Sequence, residues 1–133
     1  MIPQGTYCKN LILMDKVKGL PGAIVKCGTW KGGMMAGIAV IVGDEKEYLL
    51  FDSFEGLPPA KEIDGARALE WQTDTNSSGY YDNCSASKES AHRAMKRSGV
   101  SKVSIVKGWF NETLPSASFA NGIAVLRMDA DWY

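Results

Sequence analysis

The 133-residue sequence is short of the features that mark a specialised environment. Lys plus Arg number 15 and Asp plus Glu number 15, so no net field draws the chain to nucleic acid or an anionic membrane, and neither is an expected partner. Its longest apolar run, MMAGIAVIVG over residues 34–43, is too short to span a bilayer. The opening segment MIPQGTYCKNLILMDKVKGLPG lacks a basic leading region and a small-residue cleavage site, which argues against a secretory signal. Cysteine is scarce. Cys8, Cys27 and Cys84 are odd in number, widely spaced and in no Cys-x-x-Cys pair. A disulfide framework or zinc knuckle is not expected, and reduced thiols in a cytoplasmic setting are. The single histidine, His92, stands beside Arg93 on a predicted helix and reads as an exposed imidazole. No internal repeat or low-complexity tract is visible, and the length suits one domain with a real core.

What is present is an alternation of strands and helices. Residues 9–18 read as an amphipathic helix carrying Leu11, Ile12, Met14 and Val17, stopped by GLPG at 19–22. AIVKC (23–27) is a short β-branched run and reads as a buried strand. Cys27 is a small buried hydrophobe in that reading. GTWKGG (28–33) is a tight loop. The nearly continuous apolar stretch from Gly33 to Val42 predicts a largely buried helix, with Met34 and Met35 in the core. GDEKE (43–47) is a turn and YLLF (48–51) a second strand, ended by Asp52. Together they form a βαβ unit, hence a right-handed crossover and a parallel sheet. A polar stretch over 56–85 predicts a lid or binding loop. Within it Trp71, Tyr80 and Tyr81 argue against disorder and read as anchors packing on the core. A helix over 87–98 follows, with Ser87 as N-cap, Ala91, Ala94 and Met95 as its buried stripe and Gly99 as its stop. Strands are expected over 102–109 and 123–129, giving an α/β fold with at least four strands.

Ligands of α/β sheets sit beyond the carboxyl ends of the strands, where Gly28, Asp52 and Asp129 fall. With Gly28 as the first glycine of a G-x-G-x-x-G frame, Trp30 occupies the middle position and Gly33 the last. The middle glycine normally lets a pyrophosphate approach the backbone. A tryptophan there disfavours a dinucleotide, and with it a dehydrogenase. The alternative is that Trp30 simply packs between helix and loop. Asp52 follows Gly33 at about the 20-residue remove usual for an acid gripping a ribose diol, although it could instead cap the loop after its strand. Ribose without pyrophosphate points to S-adenosylmethionine.

The segments CGTWKGG (27–33), LLFDSFEGLP (49–58), VKGWFNETLP (106–115) and AVLRMDADWY (124–133) resemble, in order and spacing, the macrocin O-methyltransferase family. The resemblance runs from about Gly19 to the last residue. It implies a class I, Rossmann-like parallel sheet that binds S-adenosylmethionine and a divalent metal, usually Mg²⁺, and methylates sugar hydroxyls of natural products. By matching position it implies that Gly28, Thr29, Trp30, Gly32 and Gly33 hold the methionine end. Asp52, with Ser53 and Phe54 beside it, takes the ribose. Gly108 and Trp109, with Phe110, lie near the adenine, and Asp129 is metal ligand and candidate base. Asp131 reads as a solvated or capping residue rather than a ligand.

Two departures from the family pattern stand out. The family usually has a glutamate before the Cys-Gly of its loop, and this sequence has Lys26. Either a lysine there places like charge near the sulfonium, or its ammonium turns harmlessly to solvent. The remaining metal ligands of the family, an adjacent aspartate pair, have no counterpart here. Metal is therefore expected to bind this chain weakly or not at all, since one carboxylate makes a poor Mg²⁺ site. The whole of 1–133 reads as one partial domain: four strands with flanking helices, the later strands missing. The alternative to an active enzyme is a truncated or decayed domain that keeps the fold without the chemistry. If the sheet ends at 123–129, that strand is an uncovered edge with apolar flanks. Self-association through it is the expected outcome, and size-exclusion chromatography showing a monodisperse monomer would contradict it.

Overall fold

The computed structural model describes residues 2–131, so Trp132 and Tyr133 of the last quoted segment lie outside it. Four strands, β1 (Ala23–Cys27), β2 (Tyr48–Asp52), β3 (Val103–Lys107) and β4 (Ile123–Met128), form one parallel sheet in the order β3-β2-β1-β4. The chain is therefore an α/β protein of Rossmann-like type, as its strand and helix alternation predicts.

Side chains of successive strand residues point to opposite faces, and the two faces have different cover. Ile24, Tyr48, Leu50 and Ile105 pack beneath three helices, α1 (Gln4–Val17), α2 (Gly33–Val42) and α4 (Lys88–Arg97). Ala23, Val25, Cys27, Leu49 and Phe51 face the other way. There they meet Phe110, Leu114 and Phe119 from the β3–β4 connection, which contains α5 (Phe110–Thr113). All five residues of β1 are buried, because it lies inside the sheet between β2 and β4 and has cover on both faces. That is why AIVKC shows no polar alternation, and why its lysine is an anomaly.

The helices follow their signals with some shifts. Ser87 caps α4 by accepting from the Ser90 amide at 3.2 Å, and His92 on that helix is exposed. α1 begins at Gln4 behind Pro3, several residues earlier than its apolar pattern predicts. Proline is well suited to a helix start. Ile12, expected on the buried face of α1, is 60 % exposed, while Met14 is buried. Val40 is likewise 65 % exposed on α2, whose buried residues are Met34, Met35, Ile38 and Ala39. The 56–85 stretch is not structureless: it holds α3 (Ala66–Thr73) and 3-10 turns at Glu62–Asp64 and Asp82–Cys84.

α1 is seated on α2 at Gly37, where an added Cβ would run into the Tyr7 hydroxyl. In an unencumbered helix, Gly→Ala stabilises by about 1 kcal/mol. Here Gly37→Ala is expected to destabilise, by roughly 1–3 kcal/mol as an overpacked contact. Combined with Tyr7→Ala it should cost less than the sum of the two single changes. Urea unfolding of the four chains measures both signs.

Candidate active site

Parallel pairing carries four chain segments out of the sheet at one edge. The Gly108 amide donates to the Asp52 carbonyl at 3.0 Å, the Gly28 amide to Phe51 at 2.9 Å, and the Asp129 amide to Cys27 at 3.0 Å. One ladder thus runs from β3 through β2 and β1 to β4 and aligns Gly108, Asp52, Gly28 and Asp129. The chain passes from β1 outward to β2 and β3, then returns to the far side of β1 as β4. The crevice at such a reversal is where α/β sheets bind ligands. A cavity of ≈ 620 Å³ opens there, and Gly28, Asp52, Gly108 and Asp129 all line it. Trp30, Gly33, Ser53 and Trp109 join them on its wall.

The glycines of the loop have separate jobs. Gly28 has φ +82°, and a Cβ on it would run into the Asp129 carbonyl oxygen, so it is required by the close passage of β1 and β4. Gly32 has φ +79° and lets α4 approach: its Cβ would lie 2.9 Å from Ala91 Cα. It does not line the cavity. Gly33 meets nothing within 4 Å and borders the cavity. Thr29 is buried, its hydroxyl donating to the Phe51 carbonyl at 3.2 Å. Phe54 is buried in the core beneath the helices. Thr29, Gly32 and Phe54 therefore shape the loop rather than its lining, because their side chains or missing Cβ serve packing behind the wall.

Asp52 performs the capping role and remains at the cavity. Its Oδ2 accepts from the Trp30 amide and its Oδ1 from the Phe54 amide, both at 2.7 Å. Both donors have left-handed backbones, φ 49° and 55°, so the carboxylate stabilises two unfavourable turns at once. A carboxylate oxygen has a second lone pair, which leaves each free for a hydroxyl. The Trp30 indole does not fill the cavity: its Nε1 donates to the Ser85 carbonyl at 3.2 Å, and its ring lies 6.4 Å from that of Tyr81.

Ser85 and Tyr81 belong to an unusual turn. Tyr81, Asp82, Asn83 and Cys84 all have φ between 48° and 57°, at about 1–2 kcal/mol each for non-glycine residues. Asn83 offsets this cost. It donates to the Leu57 carbonyl at 2.8 Å and accepts from Gln72 Nε2 at 3.0 Å, while its own carbonyl accepts from the Leu57 amide at 3.0 Å. The turn brings Cys84 to the cavity wall, which Gly56, Leu57 and Pro58 also line. Burial raises the Cys84 thiol pKa, with Asp131 adding to the effect, so it is no ready nucleophile. Trp71 and Tyr80 pack ring against ring, their centroids 5.2 Å apart.

Lys26 does not reach solvent. It is 2 % exposed, and its ammonium donates to Asp129 Oδ2 at 2.9 Å, to the Cys27 carbonyl at 3.4 Å and to the Gly28 carbonyl. Arg127 donates to the same Asp129 oxygen at 3.1 Å and to Asn10 of α1 at 2.9 Å. Burial pulls the Lys26 pKa below its ordinary value, against the hydrogen bond and charge of Asp129. Burial would raise the Asp129 carboxyl, but Lys26 and then Arg127 outweigh it and hold it below the usual carboxylate value. Asp131, also at the cavity, is pushed up by burial and by the charge of Asp129.

Sequence reasoning missed Ile2, Pro3, Thr6 and Tyr7 at the start of α1, together with Arg127, all of which line the cavity. The only signal was Pro3 as a helix start. Which face of α1 overhangs the sheet edge is set by its packing on Gly37.

Fold and cavity define an α/β protein with a nucleoside-sized crevice at the sheet's reversal point. The sequence model of the macrocin-O-methyltransferase (TylF) family matches residues 7–133, and the chain belongs to that family. It is 30 % identical to the 8-demethyl-8-(2,3-dimethoxy-alpha-L-rhamnosyl)-tetracenomycin-C 4'-O-methyltransferase of Streptomyces olivaceus, over 96 % of this chain and 48 % of that enzyme. Among solved structures it superposes on the O-methyltransferase NovP with TM-score 0.68 and 27 % identity, over 92 % of this chain and 53 % of that one. The calicheamicin methyltransferase CalS11, at 21 % identity and TM-score 0.57 over 98 % of this chain and 56 % of that one, shares the fold. The chain thus spans about half the length of these relatives.

The ion pair sets a pH dependence. The folded-state pKa of Asp129 lies below its ordinary 3.8. Its contribution to stability is therefore complete above the unfolded value and disappears as pH falls through the folded one. For Lys26 the folded value lies below 10.5, so stability rises with pH between the two. Asp129→Asn leaves the buried ammonium without a counter-charge. The expected loss at neutral pH is about 1–3 kcal/mol, less than for a fully buried pair because the carboxylate is 42 % exposed. Urea unfolding from neutral to acid pH should give a flatter acid limb for Asp129→Asn than for wild type.

Proposed function

We propose that this chain is the cofactor-binding part of an S-adenosylmethionine-dependent O-methyltransferase that acts on a sugar or polyol hydroxyl of a natural product. The observation that carries this reading is the convergence of Gly28, Asp52, Gly108 and Asp129 on one cavity in a chain of a methyltransferase family. The residues fit the cofactor. A cavity of ≈ 620 Å³ lies in the range of small-molecule sites. The spare lone pairs of Asp52 suit a ribose diol, the apolar faces of Trp109 and Phe110 suit a base, and the bare Gly33 leaves room beside α2.

When bound, the cofactor supplies an electrophilic methyl group for in-line displacement by the acceptor oxygen. The work left to the chain is positioning. Asp129 has both cationic contacts on Oδ2, and Oδ1 is left to accept from the acceptor hydroxyl. Lys26 and Arg127 lower its basicity, so it orients that hydroxyl better than it deprotonates it, since an efficient general base needs a pKa nearer the working pH. The described residues do not suit Mg²⁺: no group of three acidic, histidine or cysteine side chains is gathered among them. A reading as a non-catalytic domain is favoured by one observation, the occupation of Asp129 by Lys26. Methyl transfer to a polyol, lost in Asp129→Asn, would exclude it.

The three cysteines are free, which supports a cytoplasmic setting, and no described helix is long and apolar enough to cross a membrane. Exposed Ile123, Leu126 and Met128 on β4 support assembly through that edge.

Isothermal titration should show binding of S-adenosylmethionine and of its demethylated product to the folded chain. Gly33→Leu, whose Cβ has open space around it, should weaken binding by about tenfold or more while leaving the unfolding midpoint near wild type. A folded wild-type chain that binds neither ligand would refute the proposal.

A further inference from the structure

We propose that Lys26 is the resident cation of this site: its ammonium holds the place beside Asp129 that a divalent ion would need and makes Asp129 a fixed hydrogen-bond acceptor instead of a metal ligand. The inference rests on the geometry of the sheet edge and does not require methyl transfer.

A lysine ammonium has three donors and no acceptor, and here all three are directed to oxygens. Asp129 Oδ2 at 2.9 Å, the Cys27 carbonyl at 3.4 Å and the Gly28 carbonyl complete its shell. The side chain is 2 % exposed and rises from the most enclosed strand of the sheet, so leaving this shell would strand a charge in the interior. Arg127 adds a second positive group on the same oxygen at 3.1 Å. Mg²⁺ binds carboxylate oxygen at about 2.0–2.1 Å and asks for near-octahedral oxygen ligands. At Oδ2 it would press against two cations, and the described residues gather no other acidic, histidine or cysteine ligands to compensate.

The arrangement also gives Lys26 a positioning role. One ammonium ties the Gly28 carbonyl, on the cofactor side of the cavity, to the Asp129 carboxylate across the reversal point. The distance between the two loops is thereby set by protein atoms, independently of the metal content of the medium.

Electron paramagnetic resonance of free Mn²⁺ tests this directly, on wild type, Asp129→Asn, Lys26→Met, Lys26→Gln and Lys26→Met/Asp129→Asn, with circular dichroism to confirm folding. Wild type and Asp129→Asn should be indistinguishable. The folded Lys26 variants should hold Mn²⁺ about tenfold or more tightly than wild type, and the double variant should lose that gain. Mn²⁺ that binds wild type and Asp129→Asn alike sits elsewhere and supports the proposal. Binding to wild type that Asp129→Asn abolishes overturns it, and so do folded Lys26 variants that bind no better than wild type. If neither Lys26 variant folds, the comparison of wild type with Asp129→Asn decides alone. The readout is metal occupancy, so its failure leaves cofactor binding, tested by calorimetry, untouched.

Discussion

The hydrogen-bonded continuity of β1 with β2 on one side and β4 on the other is the constraint from which the site follows. Because the three strands run in parallel and are paired through to their carboxyl ends, those ends coincide, and the residues beyond them meet without any long-range search. The approach is close enough that Gly28 admits no side chain against the Asp129 carbonyl. A backbone this tightly drawn leaves a crevice on its open side, and α1 overhangs it because Gly37 lets Tyr7 settle. The cavity is thus a product of two glycines and one strand order.

Electrostatics at this edge is organised by proximity rather than net charge, which is zero for the chain. Asp52 spends one lone pair of each oxygen on left-handed backbone and keeps the others at the cavity. Asp129 faces two cations on one oxygen. These two carboxylates, similar in sequence context, are made chemically different: one stabilises a loop, the other is held ionised by Lys26 and Arg127. Both are hydrogen-bond acceptors. That division suits a reaction in which orientation matters more than proton abstraction.

The segment over the cavity shows how strain is held. Four successive left-handed residues would not persist alone. They persist because Asn83 and Gln72 knit them to the 57–60 segment, and because the Trp30 indole donates to the Ser85 carbonyl just after the turn. Trp30 is in turn fixed by Asp52 at its amide. The ribose-gripping candidate, the glycine loop and the overhanging turn are therefore one connected set of hydrogen bonds.

Local signals determined most of the scaffold. Burial period and Ser87 as a cap specify the strands and helices, since each depends on neighbours a few residues apart. The resemblance carried by FDSFEGLP and GWFNETLP identified the family for the same reason: these are contiguous turns with demanding backbone shapes. Tertiary structure alone decided the fate of Lys26, the overhang of α1, the exposure of Ile12 and the order hidden in 56–85. Each is settled by residues distant in the chain, 103 positions apart for Lys26 and Asp129. A lysine on a strand next to a turn reads equally as solvated or buried until the opposing carboxylate is placed beside it.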